Sequence, residues 1–221
     1  MDFLRPELIP DPTVRRLSLY LRQLEVVHRQ ERRTISSRQL ADSLGLTDAQ
    51  VRKDLTYFGT FGQPGVGYNV SELVARIRRI LGTDQQWNVL LVGAGNLGRA
   101  LLSYGGFAAK GLSIVAVFDN DPAKIGQSIA DRPVQPLEAI TDAVRQHDAR
   151  LAIVAVPADS AQEVADGLIR AGIRGILNFS PSRLNVPPTV ALQAVDLALQ
   201  LEQLTFQVSL NSMTRSGARH P

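Results

Sequence analysis

Cysteine is absent from the 221 residues. That excludes a disulfide scaffold, a thiolate metal site and a thiol redox switch. Any redox sensing by this chain has to pass through a bound molecule. Long apolar runs are missing too. No stretch approaches the roughly 18 residues of a membrane helix, and the longest, around 89–92 and 151–156, are strand-sized. The N-terminus, 1–12, carries prolines and acids with no apolar run, so no secretory leader is expected and the expected location is the cytoplasm. Histidine is scarce: His28, His147 and His220 fall in a first helix, a polar helix end and the tail. None sits at a strand end, where a proton relay would be needed.

Basic and acidic residues are unevenly distributed. Residues 1–82 hold 13 Lys/Arg against 9 Asp/Glu, and residues 83–221 hold 11 against 12. The basic excess marks the first segment as the place to look for an anionic partner. There, Val14, Leu17, Tyr20, Leu21, Leu24 and Val27 recur at helical spacing between arginines, which predicts an amphipathic helix over 13–29. Ser36 stands three residues before Gln39, a capping-box spacing that opens a short second helix ended by Gly45. Thr47 and Gln50 repeat the device and open a third helix running to Tyr57. Two short helices joined by a glycine-containing turn form a helix-turn-helix.

The third helix has two faces. Val51, Leu55 and Phe58 point to a core, while Ala49, Arg52, Lys53 and Thr56 make a thin basic face suited to a major groove. Gln50, Tyr57 and, at the start of the second helix, Ser37 and Arg38 complete the candidate DNA contacts there. The segment 59–68, rich in glycine, predicts a tight β-hairpin, a wing in which Gly65 and Tyr68 are further contact candidates. Ser71 is the expected cap of a fourth helix that Gly82 closes. The first domain is therefore an all-α winged helix-turn-helix, 1–82.

Residues 83–210 carry a different rhythm. The strand run Asn88-Val89-Leu90-Leu91-Val92 leads directly into Gly93-Ala94-Gly95-Asn96-Leu97-Gly98 and then a helix. In that context G-x-G-x-x-G is a dinucleotide fingerprint. Gly93 permits the turn, Gly95 lets a pyrophosphate approach the backbone, and Gly98 allows close helix–strand packing. A second strand, 113–118, ends in Asp119, 26 residues beyond Gly93. A carboxylate there accepts ribose hydroxyls and repels a 2′-phosphate. No arginine follows closely, so NAD(H) is favoured over NADP(H). Lys124 is a further cofactor candidate. Strands over 151–156 and 175–180, with a helix over 160–171 between them, continue a Rossmann-like, doubly wound parallel sheet. Ligands of such sheets lie beyond the carboxyl strand ends, which makes Val156, Pro157, Asn178 and Ser180 candidates for the nicotinamide half.

The last helix, expected over 196–210, is apolar on two opposite sides: Leu197, Leu201, Leu204 and Val208 on one, Leu199, Phe206 and Leu210 on the other. A helix apolar on both sides is buried on both sides, and a second subunit is its natural cover. Residues 211–221 are polar and expected to be a disordered tail. No substrate domain remains, so a non-enzymatic regulator is expected. Two alternatives stay open: an NAD-dependent oxidoreductase, and a regulator answering another adenine-containing ligand such as a CoA.

These residues together resemble the Rex family of redox-sensing transcriptional repressors over nearly the whole chain. The resemblance is carried by Tyr20-Leu21-Arg22, Gln50-Val51-Arg52-Lys53-Asp54-Leu55, Tyr57-Phe58-Gly59, Gly65-Val66-Gly67-Tyr68, the glycine turn, Phe118-Asp119 and Gly175-Ile176-Leu177-Asn178-Phe179. It implies a homodimer on palindromic operator DNA, exchanged C-terminal helices and release by NADH. It further implies that Tyr104 and Asp196 lie near the nicotinamide–dimer region, with Arg22 on the hinge side. Two positions depart from the family pattern. Pro64 stands where the wing usually carries a basic residue, and Leu197 where an aromatic often follows the acid opening the last helix. They bear on one wing contact and on ring stacking against the nicotinamide.

Overall fold

Apolar periodicity along the first helix builds the smaller of two units. The computed structural model describes residues 9–62 and 65–217, with side chains as far as residue 210. Chain contacts separate Met1–Gln86 from Trp87–Pro221, four residues beyond the division expected at 82/83. The break falls at the first strand of the larger unit, not at the helix-closing Gly82.

In the smaller unit, α1 (Asp11–Arg29) has Asp11 in its first turn and His28 and Arg29 in its last, the polarity its dipole favours. It buries Leu17, Tyr20, Leu21, Leu24 and Val27. Val14, expected in the same stripe, is 41% exposed, and Thr13 takes the inward position instead. Strand β1 (Thr34–Ile35) leads into α2 (Ser37–Asp42), which starts with the expected capping box. Ser36 Oγ accepts the Gln39 N–H while Gln39 Oε1 accepts the Ser36 N–H. Thr47 caps α3 (Asp48–Thr56) by accepting the Gln50 N–H.

Beyond α3 the tip of the expected hairpin, residues 63–64, lies outside the described residues. After it β2 (Tyr68–Asn69) pairs antiparallel with β1, Tyr68 opposite Ile35. Burial of both side chains in the small core ties these strands together. Helix α4 (Val70–Ile80) is capped by Asn69, whose Oδ1 accepts the Glu72 N–H at 3.1 Å. Ser71, the expected cap, lies inside the first turn, because Asn69 already supplies the acceptor two residues earlier.

The larger unit is a sheet in the order β5–β6–β4–β3–β7–β8–β9. Its strands are β3 (Trp87–Val92), β4 (Leu112–Phe118), β5 (Ser128–Ile129), β6 (Arg132–Gln135), β7 (Leu151–Val154), β8 (Gly175–Asn178) and β9 (Ala191–Ala194). All run parallel except β5 on the edge. This is the dinucleotide-binding order 3-2-1-4-5-6, with its switch point between β3 and β7. Alternating side chains serve two faces. Leu90 and Val92 pack under α6 (Ile140–His147) and α7 (Ala158–Ala171), while Val89 and Leu91 face the side of the short α5 (Asn96–Leu102).

Helix α8 runs from Leu197 to Gly217, seven residues past the expected end at Leu210. Residues 211–217 lose apolar periodicity but contain no proline, so the helix continues where a disordered tail was expected; 218–221 lie outside the described residues. No helix among the described residues is long and apolar enough to cross a membrane.

Candidate functional site

A cleft of about 970 Å³ opens at the carboxyl ends of β3, β4 and β7. It brings Gly93, Gly95, Asn96, Leu97, Asp119, Lys124, Val156 and Pro157 to one surface. The sequence folds this way because the glycine turn has no room for side chains beneath it. A Cβ on Gly98 would run into the Gly93 carbonyl oxygen, and one on Gly93 into that of Ala155. Gly95 is the opposite case: nothing lies within 4 Å of the position its Cβ would take. Backbone there is open to a phosphate, as a pyrophosphate-binding turn requires.

Asp119 locks the turn to β4. Its Oδ2 accepts the Ala94 N–H at 2.7 Å and its Oδ1 the Asp121 N–H at 2.9 Å. Lys124 Nζ sits 3.2 Å from Oδ2. Burial alone would raise the Asp119 pKa, but the two backbone donors and Lys124 outweigh it and hold the carboxyl below the usual carboxylate range. Hydrogen bonding to Asp119 in turn raises the Lys124 pKa. A buried, ionised acceptor beside an open glycine turn fits the ribose-and-pyrophosphate part of a dinucleotide.

Sequence reasoning missed part of the wall. Leu137, Ile140, Asn120, Glu163 and Arg170 also line the cleft. Asn120 directly follows the predicted acid. Phe179, the apolar residue expected against the nicotinamide, lines it just beyond β8. Six candidates are not brought to the lining. Ala94 and Gly98 are buried beneath the turn. Asn178 is buried and staples its own loop, donating to the Ser182 carbonyl at 2.9 Å and accepting the Ser180 N–H at 2.9 Å. That bond and burial also turn Ser180 inward. Tyr104 is 60% exposed and stands edge-on to Phe107. Asp196 opens α8 by accepting the Leu199 N–H at 3.0 Å.

On α3, Ala49, Arg52, Lys53 and Thr56 are exposed on one face while Val51 and Leu55 are buried on the other. Arg52 Nη1 donates to Asp48 at 2.6 Å and to Ser37 Oγ at 3.2 Å, so the guanidinium is held over the junction of α2 and α3. Thr56 Oγ1 donates back to the Arg52 carbonyl at 2.7 Å. Arg38 and Gly65 are exposed, and Tyr57 is half-buried. Tyr68 corrects an expectation. It is buried in the small core, where desolvation raises its pKa, because its strand pairs with β1 and turns the ring inward. Pro64 lies outside the described residues.

Asp54 is the residue the sequence did not disclose. It is fully buried in α3, yet five hydrogen bonds reach its carboxylate. Arg16 donates at 2.5 and 2.8 Å, Tyr20 at 2.7 Å, Gln50 at 2.8 Å and Thr13 at 3.2 Å. Burial pushes the Asp54 pKa up, but these donors more than offset it and the carboxyl titrates below its ordinary range. Arg16 and Tyr20 stand four residues apart on α1, but nothing in that spacing ties them to α3. Nearby, the Arg76 guanidinium lies 4.4 Å over the Phe61 ring and donates to the Thr60 carbonyl at 3.0 Å, fastening the segment after α3 onto α4.

Comparison with known proteins covers both units. A family model for a "CoA binding domain" matches residues 84–182, and one described as "Putative DNA-binding protein N-terminus" matches residues 8–56. The redox-sensing transcriptional repressor Rex of Carboxydothermus hydrogenoformans is 50% identical over 200 residues, covering 90% of this chain and 96% of that protein. Its counterpart in Chloroflexus aggregans is 44% identical over 205 residues, covering 93% and 97%. Among solved structures, RSP in complex with β-NAD+ and operator DNA is 37% identical, with a TM-score of 0.89 over 95% of this chain and 96% of that one. RSP in complex with β-NADH is 35% identical, with a TM-score of 0.84 over 95% and 98%. A cleft built on a glycine turn, a basic helix face beside a capped helix pair, and relatives spanning both units lead to one assignment: the chain belongs to the Rex family of redox-sensing transcriptional repressors.

Proposed function

We propose that this chain is a cytoplasmic repressor that binds palindromic operator DNA as a homodimer and is released by NADH. The observation that carries the reading is the Asp119 lock. One buried carboxylate holds the glycine turn through Ala94 and lines a cleft whose volume of about 970 Å³ leaves room for a dinucleotide. When bound, the nicotinamide supplies the redox distinction, being neutral when reduced and cationic when oxidised. The chain does the rest. Gly95 admits the pyrophosphate, Asp119 takes ribose hydroxyls, and Phe179 with Val156 and Pro157 offers an apolar wall on which a neutral ring costs less to bury than a cation. Tyr104 and Asp196 are assigned to the dimer side of that ring, and α8, with Leu201, Phe206 and Val208 each more than 60% exposed, to a second copy.

Arg52, Lys53 and their neighbours on α3 read the major groove in this account. The cleft reports occupancy and performs no hydride transfer. A second reading, a CoA-type ligand, is favoured by the match to a CoA binding domain over 84–182. One experiment separates them. Fluorescence anisotropy of a palindromic duplex with bound protein is titrated with NADH, NAD+ and coenzyme A, with substrate-dependent hydride transfer assayed in parallel. NADH alone releases the duplex if the proposal holds. Release by coenzyme A, or turnover of a hydride acceptor, overturns it.

A further inference from the structure

Gln50 occupies the first turn of α3, where a recognition helix meets base edges. Its side chain is not free. Gln50 Nε2 donates to Asp54 Oδ1 at 2.8 Å, one turn further along the same helix. We propose that Asp54 sets which edge of the Gln50 amide faces the groove, so that the pair, rather than Gln50 alone, determines specificity at one base pair of the operator half-site. The inference rests on the DNA-binding function proposed above and adds to it a positioning residue that touches no DNA.

A primary amide presents a carbonyl on one side and an NH2 on the other, and an unconstrained glutamine can exchange them by turning over. An ionised carboxylate can only accept, so it admits only the NH2 side. Asp54 is fully buried and is held ionised by Arg16, at 2.5 and 2.8 Å, and by Tyr20 at 2.7 Å. Those bonds also fix the carboxylate in space, because both partners belong to α1. The Gln50 amide therefore stands with Nε2 inward and Oε1 directed away from Asp54. The face left to the groove has an acceptor in a fixed place, with the second Nε2 hydrogen beside it. That pattern matches the N6–H donor and N7 acceptor of adenine and mismatches guanine, whose corresponding edge offers two acceptors. Without Asp54 the amide can turn over, and the discrimination weakens even though Gln50 remains.

The test uses the full-length protein and a panel of duplexes in which each half-site base pair is replaced in turn. Gln50→Ala identifies the position, if any, that Gln50 reads. At that position the wild type should discriminate by about tenfold or more, the order expected of one bidentate base contact. Asp54→Asn, which can donate as well as accept, should lose most of that ratio there and keep the others. Adding it to Gln50→Ala should change the ratio no further. An even loss of affinity across the panel reduces Asp54 to a framework role and overturns the proposal, as does a Gln50→Ala profile identical to wild type. If Asp54→Asn does not fold, NMR relaxation of the wild-type Gln50 side-chain amide decides. Order equal to the backbone supports the lock, and free rotation overturns it. A wild type that binds no duplex specifically would sink the proposed function instead.

Discussion

Arg52 and Lys53 differ in how much freedom they bring to DNA. Arg52 is held by Asp48 and Ser37, a partly pre-organised fork, whereas Lys53 projects from the exposed face without an ion-pair partner among the described residues. Arg52→Ala is expected to cost about 1–3 kcal/mol and to relax specificity at one position, while Lys53→Ala weakens all duplexes alike and lowers the salt slope by about one. Anisotropy at several salt concentrations measures both, with NADH titration as the control that should not move. Asp119→Ala is expected to weaken NADH binding and narrow discrimination against NADPH, because it removes the ribose acceptor and frees Lys124 for a phosphate. Isothermal titration with each dinucleotide checks this. Equal NADH affinity in mutant and parent returns Asp119 to a purely structural role. Asp54 also makes stability depend on pH. Its folded pKa is depressed, so its contribution is present above the unfolded value of about 3.9 and is lost as pH falls through the folded value. Urea unfolding midpoints measured from pH 7 down to pH 3 should fall less steeply in Asp54→Asn than in the parent.

Elements were legible where a local device announced them. Ser36 with Gln39, Thr47 with Gln50 and the glycine turn after 88–92 each place a helix start from sequence alone. Elements fixed by distant partners were not. The pairing of β2 with β1 joins residues more than thirty positions apart, which no local pattern announces. Strands β5, β6 and β9 are short, and their sequences carry proline or little apolar alternation. Neighbouring strands define them more than their own residues do, and with them went Leu137 and Ile140 of the cleft wall. Asp54 was hidden for a related reason: its partners Arg16 and Tyr20 sit on another helix, so the motif exists only after folding. The glycine turn, by contrast, supports an element-scale prediction. Gly98→Ala drives a Cβ into the Gly93 carbonyl, so α5 must back away from β3. The mutant is expected to lose NADH binding by at least tenfold and to melt at a lower temperature, with operator affinity in the absence of NADH retained. Unchanged NADH titration curves would mean that the turn does not hold the pyrophosphate.

For the whole molecule, the central claim is that two compact units respond to one another through a dimer. A ligand shifts such an equilibrium only by its differential affinity for the two states, and linkage makes the effect mutual. The decisive measurement is therefore a closed cycle: operator affinity with and without saturating NADH, and NADH affinity with and without saturating operator. The account predicts that NADH weakens operator binding and that operator weakens NADH binding by the same factor, with NAD+ producing little of either effect. NADH bound equally well on and off the operator, by a dimer that binds both ligands, would contradict it.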